Sequence, residues 1–404
     1  MNEMALLLGL LVVSYLGSSL LSSSARGGYG SPAGSHWLVL GFVLGPHVLG
    51  VVPRGAITSF GPLALVATAW VALVLGTEYG HSGNRRLSPR AFVVGLVTAL
   101  VSAGLIGLLV YAAARWIVRM PEPDARAVSV GLGLAGCETA RHALRWAVEH
   151  GATRGPLLTL LEEIAETDEI VPMLGLAFLF AGVPSVQALV PITFAGWLAV
   201  TLLLGLVLGL MATLLLAGLT VAAEAWSVLL GAALLGTGIA WRLSISPLSA
   251  LFVMGICISL ASRHASELRP LLARTEAAVL LPTLLLAGAS LRFDASAALW
   301  WILGVTLLAR TLVRAGIGFT LALATAARPA QRIPLGFGMS CTGTAAVLVG
   351  LTFAFRFPGP IGNLVLTASA CSAVVGDLLG TAGLRYALLP APETVEQEVA
   401  ASTP

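Results

Sequence analysis

The chain has 404 residues, 57% of them hydrophobic and 10% charged, with a formal net charge of +3 and a mean hydropathy of +0.95. Soluble domains carry about a quarter charged residues, so this composition excludes an ordinary soluble enzyme or binding module and indicates a polytopic membrane protein. The basic residues are all arginine and their excess is too small to point to nucleic acid, which leaves the lipid bilayer and small ions or solutes as partners.

Windows of about 20 apolar residues give spans near 4–23, 36–51, 60–78, 90–118, 127–148, 155–182 and 187–217, then 224–241, 247–263, 274–292, 297–326, 333–355 and 361–388. The predicted fold is therefore all-α, with about 13 transmembrane helices. No basic stretch precedes the first apolar run, so it reads as a span and not as a cleaved signal. With the N-terminus outside, the inner loops collect Arg26, Arg85, Arg86, Arg90, Arg154, Arg263, Arg269, Arg274, Arg328 and Arg332, plus Arg385 at the C-terminal end. The outer loops keep Arg54, Arg119, Arg126, Arg242, Arg292 and Arg356, so the arginine bias places the C-terminus in the cytoplasm. Cys137, Cys257, Cys341 and Cys371 sit singly in apolar segments, without the clustered spacing of a disulfide framework or metal site, and no cofactor is expected.

Between Leu157 and Phe180 the spans carry their most unusual sequence, LLTLLEEIAETDEIVPMLGLAFLF. A charge at bilayer depth costs roughly 2.5–3.5 kcal/mol on insertion scales, so carboxylates there mark a functional site by default. Glu162, Glu166 and Glu169 recur at helical spacing and read with Glu163 as a solvated or cavity face, whereas Asp168 shares its face with Leu161, Ile164, Ala165 and Val171. Asp168 is the isolated acid in an apolar wall.

An internal repeat follows from comparing two distant segments. Gly131 to Ala140 reads GLGLAGCETA and Gly336 to Ala345 reads GFGMSCTGTA, with two glycines, a threonine and an alanine in register. With an odd number of spans the copies run in opposite directions, as in the inverted repeats of secondary transporters. The expected division is a first repeat over 1–182, a linking span over 187–217, a second repeat over 224–388 and a short cytoplasmic tail over 389–404. Both copies are rich in glycine and polar atoms, and unwound backbone is tolerated at membrane depth only where protein or water surrounds it. They are expected to be crossed broken helices, with Gly136, Cys137, Thr342 and Gly343 at the crossing; the alternative is that the glycines only permit close helix packing.

These residues resemble the cation:proton antiporter family, which includes sodium/proton exchangers and glutathione-gated potassium efflux transporters. Leu38 to Leu49, LVLGFVLGPHVL, resembles the second-span signature, and Val71 to Tyr79, VALVLGTEY, is similar to the third, with Gly80 where a later acid is usual. Ala135 through Asp168 matches the potassium-efflux branch without a gap and puts the family's polar-aspartate pair on Thr167 and Asp168. Leu281 to Asp294 and Leu335 to Ala346 resemble a later span and the second broken helix. The chain departs from the family where Glu138 stands between Cys137 and Thr139, and where Thr342, Gly343 and Thr344 replace a basic-glycine-acid triplet frequent in sodium/proton exchangers. Arg314, with Arg310 one turn earlier, takes the place of a lysine found in many exchangers.

The resemblance implies a mobile core holding the broken helices and the aspartate helix, a dimerisation domain of outer spans, a homodimer, and elevator-type transport in a bacterial inner membrane. A buried carboxylate is disfavoured by desolvation and favoured by nearby positive charge, so it can exchange a proton for a cation. Asp168 is the expected exchanging group, with oxygen ligands from Thr167, Thr139 and Thr344 and a second charge from Glu138. Glu138 can instead pair with Arg141 or Arg145. Arginine stays protonated, so Arg314 is expected as a fixed counterion of Asp168, with Arg310 pairing likewise or capping broken-helix carbonyls. One sodium or potassium ion would then exchange for one proton, an electroneutral cycle. Two other readings remain open at this level: a non-transporting paralogue or sensor, and a sodium-coupled organic-anion symporter. No nucleophile-base arrangement points to an enzyme.

Overall fold

The computed structural model describes residues 34–79, 89–144, 156–183, 192–217, 222–262, 265–293, 296–324 and 329–388. The expected span near 4–23, Arg145 and the tail over 389–404 lie outside them. In chain order the helices are α1 (Ser35–Leu44), α2 (Arg54–Thr77), α3 (Pro89–Ala112, continued by a π-helical turn over Ala113–Ile117), α4 (Glu122–Gly136), α5 (Pro156–Asp168) and α6 (Ile170–Gly182). They continue as α7 (Phe194–Leu216), α8 (Ala222–Leu243), α9 (Pro247–Ala261), α10 (Ala265–Ser290), α11 (Ala297–Ala324), α12 (Pro329–Gly338), α13 (Ala345–Arg356) and α14 (Pro360–Leu388). Among the described residues, seven helices are long and apolar enough to cross a membrane. Their lipid-compatible surface, with leucines such as Leu108, Leu214 and Leu312 exposed, is that of a multi-pass membrane protein.

Every span expected after residue 33 falls on a described helix or on a pair of helices. The pairs are informative. The span expected over 127–148 leaves the helix after Gly136 and resumes at Arg141, and the span expected over 333–355 breaks between Gly338 and Ala345. A third, 155–182, is divided into α5 and α6 at the single residue Glu169, where the backbone angles stay helical (φ −67°, ψ −21°). Local chemistry explains the ends: Pro121 precedes α4, Pro123 occupies its first turn, and Glu122 and Asp124 complement the positive end of its dipole. Ser246 caps α9 by accepting from the Ser249 N–H at 3.1 Å, with Pro247 at the first helical position.

Packing sorts the helices into two bodies. One comprises α1, α2, α7, α8, α9 and α10; the other comprises α3, α4, α5, α11, α12, α13 and α14, with α6 touching both. Within the first body, α2 and α9 approach through paired glycines: a Cβ on Gly76 would stand 3.0 Å from the Gly255 Cα, the small-residue contact that substitutes for a hydrophobic driving force in lipid. The second body holds both breaks. α14 lies against the second break through Gly376, Gly380 and Gly383, and a Cβ on Gly383 would meet the Pro334 carbonyl at 2.7 Å.

Candidate functional site

The two copies of the repeated element meet at their breaks. The Ala140 N–H donates to the Cys341 carbonyl at 3.1 Å, so the unwound backbones are crossed and paired. Residues equivalent in the repeat face one another there. Glu138 matches Gly343 in register, and a Cβ on Gly343 would stand 3.1–3.3 Å from all three carboxylate atoms of Glu138. Glycine at 343 therefore makes room for the glutamate that the other copy carries. Glu138 is 0% exposed, and its Oε1 accepts from the Ala346 N–H at 2.8 Å, in the first turn of α13. A carboxylate from one broken helix thus caps the positive end of the other.

Two arginines on α11, one helical turn apart, satisfy the carbonyls that the breaks release. Arg310 donates to the Ser340 carbonyl at 2.7 Å and reaches the Glu138 and Cys341 carbonyls at 3.4 and 3.5 Å. Arg314 donates to the Cys137 carbonyl at 2.7 Å, the Met339 carbonyl at 3.1 Å and the Ser102 hydroxyl at 3.3 Å. Each guanidinium carries five fixed donors, so one side chain can close both breaks at once. Arg314 also hydrogen bonds the Thr139 hydroxyl and forms an ion pair with Asp168 at 3.1 Å, both partners 0% exposed. Of the two options for Arg310, the structure shows the capping of carbonyls; the pairing with Asp168 falls to Arg314.

Asp168 closes α5 beside the crossing. Its Oδ2 accepts from the Thr139 hydroxyl at 2.6 Å and from Arg314, while its Oδ1 has no hydrogen-bond partner among the described residues. Glu138 Oε2 is likewise buried without a hydrogen-bond partner among them. Each of the two acids therefore has one oxygen committed to protein and one uncommitted, and carboxylate oxygens are hard ligands.

The other expected site residues are distributed unevenly. Thr139 is in the cluster, and Cys137 contributes its carbonyl while its thiol donates to Leu134 O at 3.2 Å. Gly136 packs near the Arg310 stem, where its Cβ would stand 3.7 Å from Cδ. Thr342 turns away to donate to the Ser372 carbonyl at 3.1 Å, and Thr344 caps α13 through its carbonyl, which accepts from Val347 and Leu348 at 3.1 Å each. Thr167 faces α3: its hydroxyl donates to the Glu163 carbonyl at 2.8 Å and its Cβ packs on Gly95. The polar-aspartate pair is adjacent in sequence but points to two sides of α5.

Arg141 pairs with Glu78 and Glu169 and not with Glu138, whose carboxylate is drawn instead to a backbone donor 208 residues away. Glu169 accordingly leaves the glutamate face: it is buried, whereas Glu162, Glu163 and Glu166 are half-buried. One acid was not singled out from sequence. Asp377 on α14 is 2% exposed and accepts from the Ser35 hydroxyl of α1 at 2.7 Å. It lies inside the apolar 361–388 span, and the insertion-cost argument that singled out Asp168 applies equally there.

These features define a class by fold: an all-α polytopic membrane protein whose two broken helices cross over a buried acid-arginine cluster. Among solved structures the chain is similar to the sodium proton antiporter MjNhaP1 from Methanocaldococcus jannaschii at pH 8, with a TM-score of 0.64 and 14% identity over 95% of this chain and 99% of that one. An electron-microscopy map of the same antiporter gives a TM-score of 0.60 and 14% identity over 94% and 96%. The chain thus shares the fold of that sodium proton antiporter. No family model and no curated protein matches the sequence.

Proposed function

We propose that this protein is a secondary active antiporter that exchanges a monovalent cation, sodium or potassium, for a proton. The observation that carries the reading is Asp168: a fully buried carboxylate at the helix crossing, with one oxygen held by Thr139 and Arg314 and the other uncommitted. Protonated, Asp168 is neutral; deprotonated, its free oxygen can bind a cation, with Glu138 Oε2 as a second anionic donor. The bound species are therefore mutually exclusive, which is the requirement for antiport. Arg314 cannot release a proton and Glu138 stays bound to the Ala346 N–H, so with Asp168 as the one exchanging group the cycle is one for one and electroneutral. Packing into two bodies favours elevator movement of the body that holds the crossing against the other. The arginine distribution favours an N-terminus outside, and the family resemblance favours a bacterial inner membrane and a homodimer.

The test is flux in proteoliposomes carrying a pH-sensitive dye. Adding sodium or potassium should dissipate an imposed pH gradient in the wild type without generating a membrane potential, and Asp168→Asn should abolish the response. Because proton and cation compete for one carboxylate, a tenfold rise in cation should lower the pH of half-maximal flux by up to one unit. A wild type silent toward sodium, potassium and lithium would rule out the reading.

A further inference from the structure

Arg141 is buried at the first break, two residues beyond Thr139, and its guanidinium is fully engaged. Nε donates to Glu169 Oε1 at 2.6 Å, Nη2 lies 2.6 Å from Glu169 Oε2, and Nη1 pairs with Glu78. The first is a hydrogen bond and the second an ion-pair contact, since Glu169 Oε2 makes no hydrogen bond among the described residues. Glu169 directly follows Asp168, at the junction between α5 and α6. Two residues of the break, Thr139 and Arg141, therefore hold two consecutive residues of the aspartate helix, Asp168 and Glu169. One of those contacts involves the exchanging group itself; the other has no part in the reading above. The third nitrogen reaches Glu78 at the end of α2, in the other body.

We propose that Arg141 is a positioning residue of the cation site: by gripping Glu169 it sets the register of the first break against Asp168, and through Glu78 it refers that register to the neighbouring body. This rests on the reading of Asp168 as the cation-binding group. Glu169 keeps helical backbone angles (φ −67°, ψ −21°) and its carbonyl accepts from the Met173 N–H at 3.2 Å, so the backbone carries the two acids on one helical path and a hold on Glu169 is transmitted to Asp168. Thr139 reaches Asp168 through one hydroxyl contact at 2.6 Å, on the same carboxylate oxygen that Arg314 holds. The Arg141–Glu169 pair adds a second attachment of the break to the neighbouring residue.

The competing account is charge balance alone, in which Arg141 does no more than neutralise Glu78 and Glu169. The two accounts separate in a neutral variant. Arg141→Gln should raise the cation KM at least tenfold and Arg141→Lys, a point charge without the planar guanidinium, about threefold. In the triple variant Glu78→Gln, Arg141→Gln, Glu169→Gln both acids that pair with Arg141 are neutralised with it, so the melting temperature in detergent should return toward the wild-type value while KM for sodium or potassium stays raised at least tenfold. A triple variant with KM within twofold of the wild type would overturn the proposal, and it carries the test even if Arg141→Gln fails to fold. Wild type and Asp168→Asn are run beside it. If the wild type gives flux and Asp168→Asn does not, the transport reading stands and only the Arg141 claim is at stake. If the wild type gives no flux, the transport reading fails, and the site is read from the rise in melting temperature on adding sodium or potassium chloride. A rise equal in the wild type and the triple variant, or no rise in the wild type, overturns the proposal as well.

Discussion

Replacing Arg314 with methionine removes the side chain that joins the two breaks to the aspartate. Three contacts set the cost: the Asp168 carboxylate at 3.1 Å and the Cys137 and Met339 carbonyls at 2.7 and 3.1 Å. Removing one partner of a buried pair costs about 3–5 kcal/mol because the other charge is stranded, and each lost hydrogen bond adds about 1 kcal/mol, for roughly 5–7 kcal/mol in all. Much of this loss belongs to the stranded acid, so it should shrink when the acid is neutralised. In a double-mutant cycle, Asp168→Asn should recover about 2–3 kcal/mol of the Arg314→Met loss, a coupling at the upper end for residues in direct contact. Equilibrium unfolding in mixed detergent and denaturant, followed by tryptophan fluorescence, measures all four corners. Costs that add to within about 0.5 kcal/mol, the tolerance for independent sites, would refute the ion pair as the element that holds the crossing.

Two further substitutions test the crossing from other sides. Gly376→Ala would put a methyl onto the Thr342 hydroxyl, 2.7 Å from Arg310 Nη1 and 2.8 Å from the Ser340 carbonyl, displacing Thr342 and straining the bond between Arg310 and Ser340; the expected loss is about 1–3 kcal/mol, with Gly304→Ala, which meets nothing within 4 Å, as the unclashed control in the same melt. Glu138→Gln keeps an acceptor for the Ala346 N–H but removes the charge, so folding should persist while the cation KM in proteoliposomes rises about tenfold. An unchanged KM would reduce Glu138 to a helix cap.

Hydropathy was enough to read the helices, because a chain in lipid has few other ways to satisfy its backbone. The repeat was enough to read the breaks: GLGLAGCETA and GFGMSCTGTA locate both departures from helix to within a few residues, and the cost of a carboxylate in an apolar wall singles out Asp168. What the sequence withheld was the choice among partners. Glu138 and Arg141 are three residues apart, the spacing of a pair on one helix, but the helix is unwound between them and each turns elsewhere. The donor that takes Glu138 is a backbone N–H, which no residue type announces. Thr167 stands beside Asp168 through the family's polar-aspartate pair, and the helix rotation places its hydroxyl on the Glu163 carbonyl, a direction that sequence adjacency does not specify. Asp377 carries the same insertion cost as Asp168 and is legible in the apolar 361–388 span on that ground.

The Arg314–Asp168 pair also sets a timetable for biogenesis. Its members are 146 residues apart, and at about 5–20 residues per second of synthesis the aspartate helix emerges roughly 7–30 s before its arginine. During that interval Asp168 enters the bilayer without the counterion that holds it in the finished protein, as a neutral acid or with water in attendance. The first half of the chain is thus inserted in a provisional form, and the arrival of α11 with the second break converts it into the crossed, charged centre of the mature fold.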